Sequence, residues 1–169
     1  MKKLTFISWN SDQNLPVIIL GVGTGLAYGQ DGPTHHGTED IGALRSLPNM
    51  TIFNPSDAFS ISYAVKNAYK IKSPCYIRMD KAVLPDLYDN TYDLSENILS
   101  HGESKGGSII TSGITVWSGL YAQSLLSKKN IHCNVIDILK IKPLNHEKLL
   151  SFIHHSEWIY IVEESAQNG

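Results

Sequence analysis

Between Gly29 and Asp40 the chain sets one acid, Asp31, two adjacent imidazoles, His35 and His36, and two further carboxylates, Glu39 and Asp40, among Gly29, Gly32, Pro33 and Gly37. These are the side chains of acid–base chemistry, since an imidazole titrates near neutrality and a carboxylate accepts hydrogen bonds. Glycine and proline fix an unusual backbone path, so the polar groups are expected to be held in place. The same residues also suit a hydrogen-bonded turn with surface imidazoles. A metal reading of His35 with Glu39, four residues apart, lacks the third or fourth ligand a zinc site needs. The glycines at 21, 23 and 25 do not complete a dinucleotide fingerprint, because Leu26 and Tyr28 stand where the last glycine belongs.

The loop follows an apolar run, Val17-Ile18-Ile19-Leu20, which reads as a buried parallel strand. Loops at the carboxyl ends of such strands are where open α/β sheets bind ligands. Next comes a helix over 38–46, with Glu39 and Asp40 in its first turn and Pro48 beyond its end. A strand over 50–53 leads to Asn54-Pro55, and Ser56 is the expected N-cap of a helix to about Lys70. Ile61, Ala64, Val65, Ala68 and Tyr69 form that helix's apolar face. A third strand, 75–77, carries Arg78 at its carboxyl end, where it could bind an anion or pair with Asp80 or Asp86. Strands alternating with helices imply right-handed crossovers and a parallel sheet.

From 85 to 106 the periodicity fails, and the stretch reads as a linker. The alternation then resumes with a strand over 108–111, a helix over 115–128 and a strand over 132–139. Pro143 introduces a helix bearing Leu149, Leu150, Phe152 and Ile153, and a strand over 158–162 runs into Glu163-Glu164. That acidic pair suits either a subunit interface or a solvated strand end. His132, His146, His154 and His155 read as surface residues, and Trp117 and Trp158 as core or interface. The last strand has no helix after it, so the second lobe is expected to be incomplete.

Composition narrows the class. With 169 residues, 42% hydrophobic, and a net charge of −2, the chain reads as globular, without the basic excess of a nucleic-acid binder. The opening Met1-Lys2-Lys3-Leu4 does not read as a signal peptide, because Asn10-Ser11-Asp12 interrupts its apolar stretch. No run has membrane-spanning length. Two distant cysteines, Cys75 and Cys133, make no disulfide framework, so a reducing cytoplasm is expected.

Several motifs now occur in order: Gly29-x-Asp31-Gly32-Pro33-Thr34-His35-His36, Leu44-Arg45-x-Leu47-Pro48-Asn49-Met50, Asn54-Pro55-Ser56-Asp57, Tyr76-Ile77-Arg78-Met79-Asp80 with Leu84-Pro85, and Val162-Glu163-Glu164 with Gly169. Together the chain resembles the transketolase family of thiamine-diphosphate enzymes, and most of all the C-terminal half of split, two-gene transketolases. The resemblance implies an α/β fold: a partial pyrimidine-binding domain over 1–84, a linker over 85–106 and a partial C-terminal domain over 107–169. It implies transfer of a two-carbon ketol unit between sugar phosphates. His35 would lie beside the aminopyrimidine and the reacting carbons, Asp31 and His36 would contact substrate, and Arg78 would bind the sugar phosphate. The thiamine diphosphate would be shared with a diphosphate-binding half, a separate domain or partner that also holds the Mg or Ca ion. The assembly would be a dimer or other oligomer, homo- or heteromeric, in carbohydrate metabolism, and this chain alone would be inactive.

Gly23 stands where the family carries a phosphate-contacting histidine, and the catalytic glutamate and pyrimidine-stacking aromatics would precede everything present here. Deoxyxylulose-phosphate synthase and the β subunits of 2-oxoacid dehydrogenases share the architecture. A non-catalytic remnant or assembly subunit of the same fold is the remaining alternative.

Overall fold

A computed structural model describes residues 2–103 and 105–166; Gly169, quoted for the resemblance, lies outside the described residues. The chain opens with α1 (Lys2–Asp12), then β1 (Ile18–Val22), a 3-10 turn (Gly29–Asp31), α2 (Asp40–Arg45), β2 (Thr51–Phe53), α3 (Ala58–Ile71) and β3 (Cys75–Met79). It continues with β4 (Ile98–His101), β5 (Gly107–Thr111), α4 (Thr115–Ser127), β6 (Cys133–Ile138), β7 (Lys140–Lys142), α5 (His146–Ile153) and β8 (Trp158–Val162). Two four-stranded sheets result, ordered β1-β3-β2-β7 and β4-β6-β5-β8. Within them β1, β3 and β2 run parallel, as do β6, β5 and β8, while β7 and β4 are antiparallel edge additions. This is the α/β, mostly parallel architecture that the alternating pattern predicts.

Helices lie on both faces of the first sheet around β2 and β3, as a parallel sheet requires. Phe53, Cys75 and Ile77 meet Ala64 and Ala68 of α3 on one side. On the other, Ile52 and Tyr76 meet Leu44 of α2 and Met50, with Ile7 of α1 against them. The capping residue of α3 is Asp57, one position after the expected Ser56. Its carboxylate accepts from the Ser60 backbone N–H at 2.7 Å, and Ser60 Oγ reaches back to the Asp57 N–H. Asp wins because its second oxygen also accepts from the Leu87 and Tyr88 N–H groups, both at 2.7 Å. One side chain therefore caps a helix and anchors the segment that leaves the first lobe.

The structure departs from, or adds to, the sequence reading at three places. First, β1 is an edge strand, and its apolar run is not buried: Leu20 is 53% and Val22 61% exposed. It pairs on one side only, with β3. Second, α1 has no periodic signature in the sequence, because Phe6, Ile7 and Trp9 do not line one face; Phe6 and Trp9 are exposed and Ile7 alone joins the core. Third, the stretch 85–106 holds β4, which pairs with β6, and its Tyr88 and Leu94 are core residues packed with Leu139, Phe59 and Tyr63.

The lobes are joined by more than the connecting segment. Strand β7 leaves the second lobe's stretch of chain to pair with β2, and Lys142 Nζ donates to the carbonyls of Arg45, at 2.8 Å, and Leu47 at the end of α2. A cation there meets the negative end of the helix. Asn54 Nδ2 donates to Ser112 Oγ at 2.9 Å, and Trp117 Nε1 donates to the Ser56 carbonyl at 3.3 Å. Among these contacts lies Asp137, fully buried, whose carboxylate accepts from Ser56 Oγ and from the Tyr88 hydroxyl at 2.7 Å. Burial, aided by nearby Asp57, pushes this carboxyl up to about 7 despite those two donors. The same hydroxyl lies 3.0 Å from His101 Nε2, and burial moves His101 downward.

Candidate functional site

The carboxyl ends of β1 and β3 lie side by side, with Gly21 opposite Arg78 and Val22 opposite Met79. From β1 the chain enters the loop anticipated from the sequence. Its neck is closed by two backbone hydrogen bonds between Gly25 and Gly37, at 3.0 and 2.9 Å. Everything from Leu26 to His36 is thus a closed excursion beyond the sheet edge. Asp31 ends the 3-10 turn and is exposed, and its N–H donates to the Tyr28 carbonyl at 2.9 Å. The His35 N–H donates to the Gly32 carbonyl at 3.0 Å, while its ring is exposed, with Nδ1 3.1 Å from Thr34 Oγ1. The Tyr28 ring stands 6.2 Å from the His35 ring, and Lys81 Nζ lies 3.5 Å from the Tyr28 ring centre. His36 is half-buried, and its buried Nε2 has no hydrogen-bond partner.

The third predicted contact, Arg78, occupies a different setting. It lies inside β3 and not past its end, is 3% exposed, and its guanidinium is engaged by protein. Nε meets Asp40 Oδ2 at 3.0 Å, Nη1 meets Glu164 Oε2 at 3.4 Å, and Nη2 donates to the Gly37 carbonyl at 3.4 Å. The Tyr76 hydroxyl donates to the same Asp40 oxygen at 2.7 Å, and beside that acid, out of water, its own ionisation is pushed upward. The guanidinium that the sequence offers for an anion is thus met here by two carboxylates and a carbonyl of the protein. Asp31, His35 and His36 share the loop, while Arg78 lies beneath its neck.

Sequence reasoning misses the parts contributed from far along the chain. Glu164 is not a solvated strand end: it meets Arg78 and also accepts from the Leu26 N–H at 3.2 Å. Asp40 reads locally as a first-turn helix acid, and that position conceals its pairing with Arg78. Lys81 carries no motif signal. Among the described residues no cluster of three or more His, Cys, Asp or Glu side chains could hold a metal ion, and no helix is long and apolar enough to cross a membrane.

Comparison with known proteins accords with this arrangement. The family model "Transketolase, pyrimidine binding domain" matches residues 5–86, and "Transketolase, C-terminal domain" matches 101–169. An apulose-4-phosphate transketolase subunit of Phocaeicola vulgatus is 36% identical over 157 residues, covering 90% of this chain and 50% of that protein. The 1-deoxy-D-xylulose-5-phosphate synthase 1 of Geobacter sulfurreducens is 34% identical, covering 93% of this chain and 25% of that protein. A split-gene transketolase solved as an inactive β4 tetramer is 28% identical, with a TM-score of 0.76 over 88% of this chain and 48% of its own. Transketolase from Leishmania mexicana has the same fold, with a TM-score of 0.85 at 21% identity, over 98% of this chain and 26% of that one. The chain spans half or less of the length of these relatives. With two family models in order along nearly its whole length, and a fold to match, the chain belongs to the transketolase family.

Proposed function

We propose that this chain supplies the pyrimidine side of a thiamine-diphosphate-dependent transketolase site. With a diphosphate-binding half it would transfer a two-carbon ketol unit between sugar phosphates. The observation that carries this reading is the loop 26–36: it projects from the carboxyl edge of a parallel sheet, within the stretch that matches the pyrimidine-binding domain, and holds an exposed acid and imidazole. The donor set suits one end of the cofactor only. The His35 imidazole is open to a neighbouring ring and the loop borders open space at Gly29 and Gly32, but among the described residues no cluster of three or more His, Cys, Asp or Glu side chains could hold the metal ion that accompanies a diphosphate. A metal ion, Mg or Ca, would therefore be held by the other half.

When bound, the cofactor supplies the carbanion stabilisation. The chain's own residues orient and exchange protons. His35 holds or moves a proton at its exposed ring, work suited to an imidazole near neutrality. Asp31 accepts from a substrate hydroxyl, and His36 offers the buried Nε2 to a polar group of substrate. We place the boundaries at 1–84, 85–106 and 107–169, with 98–101 completing the second sheet. The chain would act in carbohydrate metabolism as part of a dimer or larger oligomer, and two buried unpaired cysteines suit the cytoplasm.

One alternative has its own support, the 34% identity to a deoxyxylulose-phosphate synthase. Product analysis of the chain combined with a diphosphate-binding half decides between them. Ketose phosphate as two-carbon donor gives chain-exchanged sugar phosphates under our reading. Consumption of pyruvate with release of carbon dioxide, and no ketol exchange, would overturn it.

A further inference from the structure

The candidate loop belongs to the first lobe, yet its neck is fastened from the second. Glu164 follows β8, on the far side of the chain from the loop, and its two carboxylate oxygens act on different partners. Oε1 accepts from the Leu26 N–H at 3.2 Å, just inside the neck, and Oε2 meets Arg78 Nη1 at 3.4 Å. Arg78 in turn donates to the Gly37 carbonyl, on the other strand of the neck, and to Asp40, where α2 begins. Two residues beyond Glu164, the Ala166 N–H donates to the Thr38 carbonyl at 2.9 Å. Both strands of the neck are thus held by one buried cation and by the tail of the other lobe.

The fit is close at one position. A Cβ on Gly25, where φ is +62°, would lie 2.2 Å from Glu164 Oε2 and 2.8 Å from Arg78 Nη2. The neck passes directly against the ion pair, and glycine is what lets it do so. The pairing also answers a requirement of Arg78 itself. A guanidinium 3% exposed has to be met by anions, and Asp40 from α2 and Glu164 from the second lobe meet it from two sides.

We propose that Glu164 is a positioning residue: acting through Arg78 and the Leu26 amide, it fixes the path of residues 26–36, and with it the placement of Asp31, His35 and His36. This extends the reading of that loop as the cofactor and substrate face, and on that reading it assigns the second lobe, which carries none of the candidate reactive side chains, a part in the site. Loss of the carboxylate charge frees the neck while leaving both sheets paired.

The test is hydrogen exchange on the full chain, read for the 23–38 segment against β5 and β6, together with the imidazole proton signals of His35 and His36. Glu164→Gln keeps the shape and removes the charge. It is expected to speed exchange across 23–38 by about tenfold or more, to move the His35 and His36 signals, and to leave β5, β6 and the His146 signal as they were. Glu164→Ala, which removes the carboxylate without touching the neck itself, is expected to give the same pattern and carries the comparison if Glu164→Gln does not fold. Glu164→Asp, which keeps the charge, should restore part of the protection. Exchange within twofold of wild type in the 23–38 segment, or acceleration spread equally over β5 and β6, overturns the proposal. None of these readouts needs cofactor or turnover, so the clamp and the catalytic reading of the loop can fail separately.

Discussion

Replacing Asp137 by Asn should change how stability depends on pH, with a sign and size that follow from the structure. The folded carboxyl stands at about 7, against an ordinary value of 3.8. The folded chain therefore keeps a proton that the unfolded chain has released between those values. Stability from this group is fully present at low pH and is lost as pH rises towards 7. Each pH unit in that window corresponds to about 1.4 kcal/mol, so between pH 5 and 8 the loss is on the order of 3 kcal/mol. His101 works in the opposite sense: burial lowers it, so it adds stability as pH rises through its titration. The Asn variant keeps His101, Tyr88 and Asp57, so the difference between variant and wild type isolates Asp137. Urea unfolding at pH 5, 6, 7 and 8 is the assay. With slopes of about 1–3 kcal/mol per molar urea, the variant's midpoint should gain on the wild type by about 1–3 M across the range. A difference between the two curves that stays flat from pH 5 to 8 would refute the reasoning.

Asp57→Ala strips the cap from α3 and leaves the Leu87 and Tyr88 amides without their acceptor. A loss of about 3–5 kcal/mol is expected, well beyond the 0.5–2 kcal/mol of a lone cap; less than 1 kcal/mol in urea melts would contradict it. The exposed apolar residues Leu20 and Val22 on β1, with Phe6 and Trp9 of α1, predict self-association. Leu20→Lys with Val22→Lys should shift light scattering towards the monomer, and a wild type that stays monomeric over a wide concentration range would count against this. His35→Ala removes an exposed ring, so stability should stay within about 0.5 kcal/mol. In an assembled enzyme the same change should lower turnover by roughly 10²–10⁴-fold, and turnover near wild type would remove His35 from the chemistry.

Much of the fold can be read from local pattern. The periodic face of α3 and the apolar runs of β2, β3, β5, β6 and β8 are visible because each element carries its own hydrophobic signature. What escapes depends on partners. The burial of β1 cannot be judged from its apolar run, because the exposure of Leu20 and Val22 follows from whether a helix covers their face of the sheet. Strands β4 and β7 are short antiparallel additions whose pairing is fixed by β6 and β2 and not by their own residues. At the site, the Gly29-to-His36 motif can be read because its residues are adjacent in sequence. Arg78 invites a ligand because, seen alone, it has no anion; Asp40 and Glu164 lie 38 and 86 residues away from it. Asp137 carries no signal, since a buried acid in an apolar strand is recognised only by what surrounds it.

The most direct measurement is calorimetry of thiamine diphosphate with magnesium, on this chain alone and then with a diphosphate-binding half. On our reading the chain meets the pyrimidine end, and among the described residues no cluster could hold the metal ion of the diphosphate end, so binding should be undetectable at micromolar concentrations, with no ketol transfer. Adding the second half should bring binding, and transfer as well if that half carries the catalytic glutamate. Micromolar binding or ketol transfer by the isolated chain would contradict the account.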